Sequence, residues 1–200
     1  MLIKLGRLTI ISACVLALAA CDNADTISAD SAKTLVLSKR DLPADFASFA
    51  EGPTATLDTQ GTPRADLQRF DRKSGWVARF NRPSSARTNG PVIVVSTVDV
   101  FGGEDGAKAD LGAFRQQFGE EIARRPAGAR LVRVSALGDD VAAITSLQEG
   151  SPAVRFFTIA WRERNASASV TASGFADRIQ LADVVRLARR QQQKLAAAGS

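Results

Sequence analysis

Val92-Ile93-Val94-Val95-Ser96-Thr97-Val98-Asp99-Val100-Phe101, followed by Gly102-Gly103-Glu104-Asp105, is the stretch on which the fold turns. β-Branched residues stand at odd and even positions alike, so neither face is polar. That pattern predicts a central strand covered on both sides. The two glycines break it, and the two acids then sit where the macrodipole of a helix start favours negative charge. A helix is expected to about Arg125. Its residues Ala107, Leu111, Phe114, Phe118 and Ile122 fall at offsets 0, 4, 7, 11 and 15, an apolar stripe about 80° wide. Pro126 and Gly128 end it.

Upstream, Trp76, Ala78 and Phe80 alternate with Val77, Arg79 and Asn81, so 75–82 reads as a half-buried strand, and Pro83 to Gly90 as a loop. The 34–74 region is less regular. Thr34 to Leu42 reads as one short helix or strand ended by Pro43, with Phe46 and Phe49 as apolar anchors. Thr62-Pro63 resembles an N-cap with proline in the first turn, opening a helix with Leu67 and Phe70 that stops by Gly75.

Downstream, four strands are expected at about 130–136, 141–148, 153–162 and 166–175, joined by Gly138-Asp139-Asp140, Glu149-Gly150-Ser151-Pro152 and Glu163-Arg164-Asn165. Phe157, Ile159 and Trp161 line one face of the third. The fourth is nearly all Ala and Ser around Val170, which suits close approach of a helix. A second helix over about 177–197 gathers Leu181, Val184, Val185, Ala188 and Leu195 on one arc. The fold expected is α+β: an antiparallel sheet of six or seven strands packed against two main amphipathic helices.

The N-terminus carries a different signal. Lys4 and Arg7 precede an apolar run from Leu8 to Leu18, then Ala19, Ala20 and Cys21. About 11 apolar residues are too few for the roughly 20 that cross a bilayer as a helix, so a cleaved leader fits better than a permanent span. Leu18-Ala19-Ala20-Cys21 resembles the lipobox of bacterial lipoproteins. The resemblance implies removal of residues 1–20 and a diacylglyceryl group on Cys21, often with a third acyl chain, which holds a protein stably on a membrane. An ordinary leader ending beside a cysteine is the alternative. In the family's enteric sorting rule, Asp after the cysteine favours retention on the outer face of the cytoplasmic membrane, and Asp22 matches it. Residues 21–33 read as the lipidated N-terminus and a flexible tether of roughly 19 Å r.m.s. from Asp22 to Lys33, and 34–200 as one domain.

Composition excludes much chemistry. The full chain has a net charge of +5, which falls to +3 once Lys4 and Arg7 leave with the leader. That is little basis for binding nucleic acid. His and Tyr are absent, Met1 is the lone methionine, and Cys21 is the lone cysteine after the leader. Internal disulfides, Cys/His zinc sites, heme ligation and histidine-assisted nucleophiles therefore have no residues to draw on. No Gly-x-Ser-x-Gly, Ser-x-x-Lys or phosphate-cradling glycine loop occurs. Gly102 to Gly106 matches no nucleotide fingerprint. Catalysis would have to rest on carboxylates, Ser, Lys or Arg.

The segments GWVARFNR, PVIVVSTVDVF with GAKADL, RVSALGDD and DVVRLARRQQQKL resemble those of a broad set of bacterial lipoproteins of unknown function, with a layout similar to PsbP-like α/β/α sandwiches. The resemblance, over about 75–195, implies a fold and supplies no catalytic residues. Asp99 with Glu104 and Asp105 form the one local carboxylate set that a hard cation could use, but three are few for six to eight oxygens; helix and turn chemistry explains them, as it does Glu120-Glu121 and Asp139-Asp140. Neither a metal nor a cofactor is expected. Arg124, Arg125, Arg130 and Arg133 gather at the end of the first helix. Arg178, Arg186, Arg189, Arg190 and Lys194 stud the second and are candidates for contact with an anionic membrane surface, against a plainly solvated face. Trp76 and Trp161 are candidates for a ligand groove, against a place in the core. The expected role is a non-catalytic binding or interaction module of the cell envelope, with the membrane and an envelope protein as partners. A lipid or small-molecule carrier with a cavity between sheet and helices is the alternative. A carboxylate-based hydrolase comes third and needs two facing carboxylates.

Overall fold

The structure, a computed structural model, describes residues 26–57, 68–85, 87–135 and 137–199. The expected leader, the expected lipobox with Cys21, and the helix expected from Thr62-Pro63 through Leu67 lie outside them.

Seven strands form one antiparallel sheet: β1 (Ala47–Pro53), β2 (Arg72–Asn81), β3 (Ile93–Phe101), β4 (Ala129–Leu131), β5 (Asp140–Gln148), β6 (Val154–Glu163) and β7 (Ala166–Phe175). Their spatial order is β1-β2-β3-β7-β6-β5-β4. β3 is central, as its two apolar faces require, and β7 rather than β4 lies beside it. Two short helices, α1 (Ala32–Leu35) and α2 (Thr54–Leu57), precede the long ones, α3 (Glu104–Arg124) and α4 (Leu181–Ala197).

Strand alternation sends each side of the sheet to a different helix. Val94, Val98 and Val100 of β3, Ile159 and Trp161 of β6, and Ala168 and Val170 of β7 join Val184, Leu187, Ala188 and Leu195 of α4 in the larger core. On the other face Leu111, Phe114 and Phe118 of α3 pack on Ala129, Ile144 and Ala160. The small side chains of β7 admit both helices, so the layers run helix, sheet, helix. Burying each large apolar side chain contributes roughly 1.5–3 kcal/mol before entropy is counted.

Several expectations are corrected. The folded domain starts before residue 34, inside the stretch expected to be tether: Ile27 is buried, its N–H donates to Asn165 Oδ1 at 2.8 Å, and Asn165 Nδ2 donates back to the Ile27 carbonyl at 3.0 Å. Leu35, Val36, Leu37 and Leu42 follow it into the core. The Thr34–Leu42 element is α1, beginning at Ala32, followed by a 3-10 turn at Lys39–Asp41. Phe46 is an anchor, but Phe49 is 55% exposed. It occupies the register shift between Ser48 and Ala50 on β1, and the extra residue of a bulge has no partner to hold its side chain inward. Phe70 lies in a 3-10 turn at Arg69–Asp71. The strand expected over 130–136 stops at Leu131, and α4 starts at Leu181 rather than 177 because the N–H groups of Arg178 and Ile179 turn back to the Phe175 carbonyl.

Candidate functional site

Several of the carboxylates singled out in the sequence are taken up by arginines. Asp99, fully buried, accepts from Arg72 Nη1 at 3.1 Å and Thr54 Oγ1 at 3.0 Å. Glu104 and Asp139 both face Arg162, at 3.4 and 2.9 Å. Glu121 pairs with Arg124 and Arg125. Among the described residues no group of three or more acidic, His or Cys side chains is placed to hold a metal ion.

The cations of the second helix are mostly turned to internal use. Lys194 Nζ donates to Asp41 Oδ2 at 2.6 Å and to the Val36 carbonyl at 2.9 Å, and Arg190 donates to the Asp41 carbonyl. Burial opposes ionisation of Asp41. The bond from Lys194, those from the Ser38 N–H and hydroxyl, and the Lys194 charge outweigh it and hold that carboxyl below the ordinary carboxylate range. Arg186 pairs with Asp183 at 2.6 Å, and Arg178 with Asp177 at 3.1 Å from outside the helix. Arg189 is exposed. Lys194 and Arg190 thus clamp α4 to the N-terminal segment, while Arg178 and Arg186 pair with neighbouring acids. Beneath the clamp lies Gln191, fully buried, which accepts from Ser96 Oγ at 2.8 Å and donates to the Thr97 carbonyl at 3.0 Å. Ser96 Oγ in turn accepts the Leu37 N–H at 2.8 Å. Of the two tryptophans, Trp161 is core and Trp76 half-buried.

The arrangement with room for a ligand is elsewhere. A groove of about 760 Å³ opens where the sheet edge meets α3, within the range of small-molecule sites. β4 is the cause. It pairs with β5 only from Ala129↔Ser146 to Leu131↔Ile144, with one further bond from the Val132 N–H to the Ala143 carbonyl at 3.0 Å. The chain then leaves the sheet for buried Leu137, so Val141, Ala142 and Ala143, paired with β6 on one side, have no strand of β4 on the other and become one wall. Half-buried Val132 and Val134, with Leu131 at 64% exposure, make a second. The third is α3, through Arg115 and Gly119.

Gly119 leaves that wall open: a Cβ placed on it meets nothing within 4 Å. Arg115 Nη2 donates to Asp140 Oδ1 at 2.6 Å and to the Val141 carbonyl at 3.4 Å. The Arg115 bond is the largest influence on Asp140 and draws its carboxyl below the ordinary range against partial desolvation. Arg133 is exposed and makes no ion pair with the described residues. No carboxylate lines the groove. Of these residues, sequence reasoning singled out only Arg133. The available signal was Gly119, a glycine inside a helix at a cost of about 1 kcal/mol relative to alanine.

No family model matches the chain, and no curated protein matches it. Among solved structures it is similar to the extracellular domain of PknH from Mycobacterium tuberculosis, at 12% identity and a TM-score of 0.61, over 86% of this chain and 98% of that one. At that identity the likeness concerns the fold, which the two chains share.

Proposed function

We propose that the chain is a non-catalytic, ligand-binding module of the cell envelope, held to a membrane by lipid on Cys21. One observation carries the binding role: an open, largely apolar groove, free of carboxylates, formed where the sheet edge is left unpaired. A carboxylate hydrolase would need two facing acids there. The enclosed cavity of a carrier is not what forms, because the space between sheet and α4 is filled by Trp161, Phe80 and Leu195. The extracytoplasmic placement draws support from the lipobox resemblance and from a fold shared with a domain described as extracellular. No described helix is long and apolar enough to cross a membrane.

The groove is tested with Nile red, a neutral apolar dye whose emission rises in apolar sites. It should bind the wild-type domain and not Gly119→Phe, which adds a ring to the groove lining at a helix position where a Cβ meets nothing within 4 Å. Equal emission from both proteins, or none from either, would remove the groove as a ligand site.

The anchor has a separate test. Cys21→Ala should move the protein from the membrane fraction to the soluble fraction; unchanged partitioning would refute lipidation. Because Ile27 is already docked on Asn165, only five residues separate it from Cys21, six steps of chain that reach at most about 20 Å when extended. On this reading the β6–β7 hairpin end of the domain is held close to the bilayer.

A further inference from the structure

We infer that the groove takes a single-chain anionic amphiphile: an acyl tail along the apolar walls and an acidic head at Arg133 and Arg115. The inference rests on the groove being a ligand site and adds the ligand's class. Three observations lead to it. The walls contributed by Val132, Val134 and Val141 to Ala143 are aliphatic or small, without an aromatic plate for a planar ring or a row of polar groups for a sugar. The charge in the lining is of one sign. Arg133 is exposed with no ion pair, and Arg115 commits only Nη2 to Asp140 and the Val141 carbonyl, so Nε and Nη1 of its five-donor fork make no contact with the described residues.

The third observation is position. β5 begins at Asp140, opposite Arg162, two residues short of the turn at Arg164-Asn165. At about 3.3 Å per strand residue, the Val141 end of the groove lies within roughly 15 Å of the hairpin that holds Ile27. A groove at that end of a short-leashed domain is well placed to meet amphiphiles leaving a bilayer.

The test titrates the folded domain with dodecanoate, dodecyl maltoside and dodecyltrimethylammonium, each below its micelle concentration, by displacement of Nile red and by calorimetry. Dodecanoate should bind at least tenfold more tightly than the neutral detergent, and the cationic one more weakly still. Across octanoate, decanoate and dodecanoate the affinity should climb severalfold for every two methylenes, as burial of tail in an apolar wall requires. Arg133→Glu, at an exposed position that folding does not depend on, should weaken dodecanoate at least tenfold and leave the maltoside within twofold. Gly119→Phe, with its fold checked by thermal melting, should abolish all of them.

Equal affinity for the three head groups, or no dependence on chain length, would overturn the ligand class while Nile red binding left the groove itself standing. Failure of Nile red and of every amphiphile would overturn both readings.

Discussion

Replacing Asp99 by alanine is expected to cost the domain about 3–5 kcal/mol, the usual penalty for stranding one member of a buried ion pair. Its side chain is fully buried and that of its partner Arg72 is 4% exposed. Without the carboxylate, a cation and the Thr54 hydroxyl lose their shared acceptor. The carboxylate is tightly surrounded: a Cβ on neighbouring Gly75 would come within 2.0 Å of Asp99 Oδ1 and 2.3 Å of Thr54 Oγ1. Urea unfolding should show the loss, and the melting temperature should drop on the order of 10 °C for a domain of this size. The double variant Arg72→Leu/Asp99→Leu should recover most of it, because an apolar pair removes the stranded charge. A single-variant loss under about 1 kcal/mol would mean that water reaches Arg72.

Asp99 also shows how far the chain could be read before its fold was known. The run Val92 to Phe101 predicts a strand covered on both faces, and both faces of β3 are covered at that end. Nothing local distinguishes an acid destined for a buried arginine from one that holds a cation. Arg72 lies 27 residues upstream and meets Asp99 only across the β2–β3 register, next to a shift between Arg72 and Ser74. The same limit hid Ile27. Its twelve-residue surroundings are small and polar, while the partner that orders it, Asn165, is 138 residues away. Gln191 reads as part of a polar helix face, yet it is buried by acceptors and donors on β3 about 95 residues distant. Periodicity reports which face of an element is apolar. It carries no record of a polar side chain whose desolvation is met by a remote strand.

The groove was hidden for a related reason. Its walls exist because pairing stops after Leu131, and Val132 to Ser135 keep an alternating pattern that predicts a continuing strand. What ends the pairing is the need of Leu137 to reach the core. Helix α3, in contrast, was legible almost residue by residue. Ala107, Leu111, Phe114 and Phe118 are buried as the stripe predicts, with Ile122 half-buried near the helix end.

Trp161→Ala should be comparably damaging, at about 3–5 kcal/mol, through a different term: the loss of transferred surface plus the cavity left in a core that relaxes incompletely. The ring has no exposed surface, and Nε1 donates to Gln192 Oε1 at 2.6 Å, while Gln192 Nε2 donates to Glu163 Oε2 at 2.6 Å. Trp76 is the internal control. Half-buried, with Nε1 3.3 Å from Glu51 and Lys33 5.3 Å above its ring, it should lose only about 1–2 kcal/mol on truncation. The two variants should be separable by fluorescence: buried Trp161 is expected to emit to the blue of half-buried Trp76, so only its loss should leave the red-shifted signal alone. Trp161 stands opposite Val141 on the same face of the β5–β6 pair, and Val141 is a wall of the groove. Truncating the ring should therefore also weaken Nile red binding, whereas Trp76→Ala should leave it unchanged. Indole at millimolar concentration should restore part of the stability by refilling the apolar space. Equal midpoints for the two variants in urea would mean that Trp161 is not the keystone of the larger core, and the groove wall would lose its support with it.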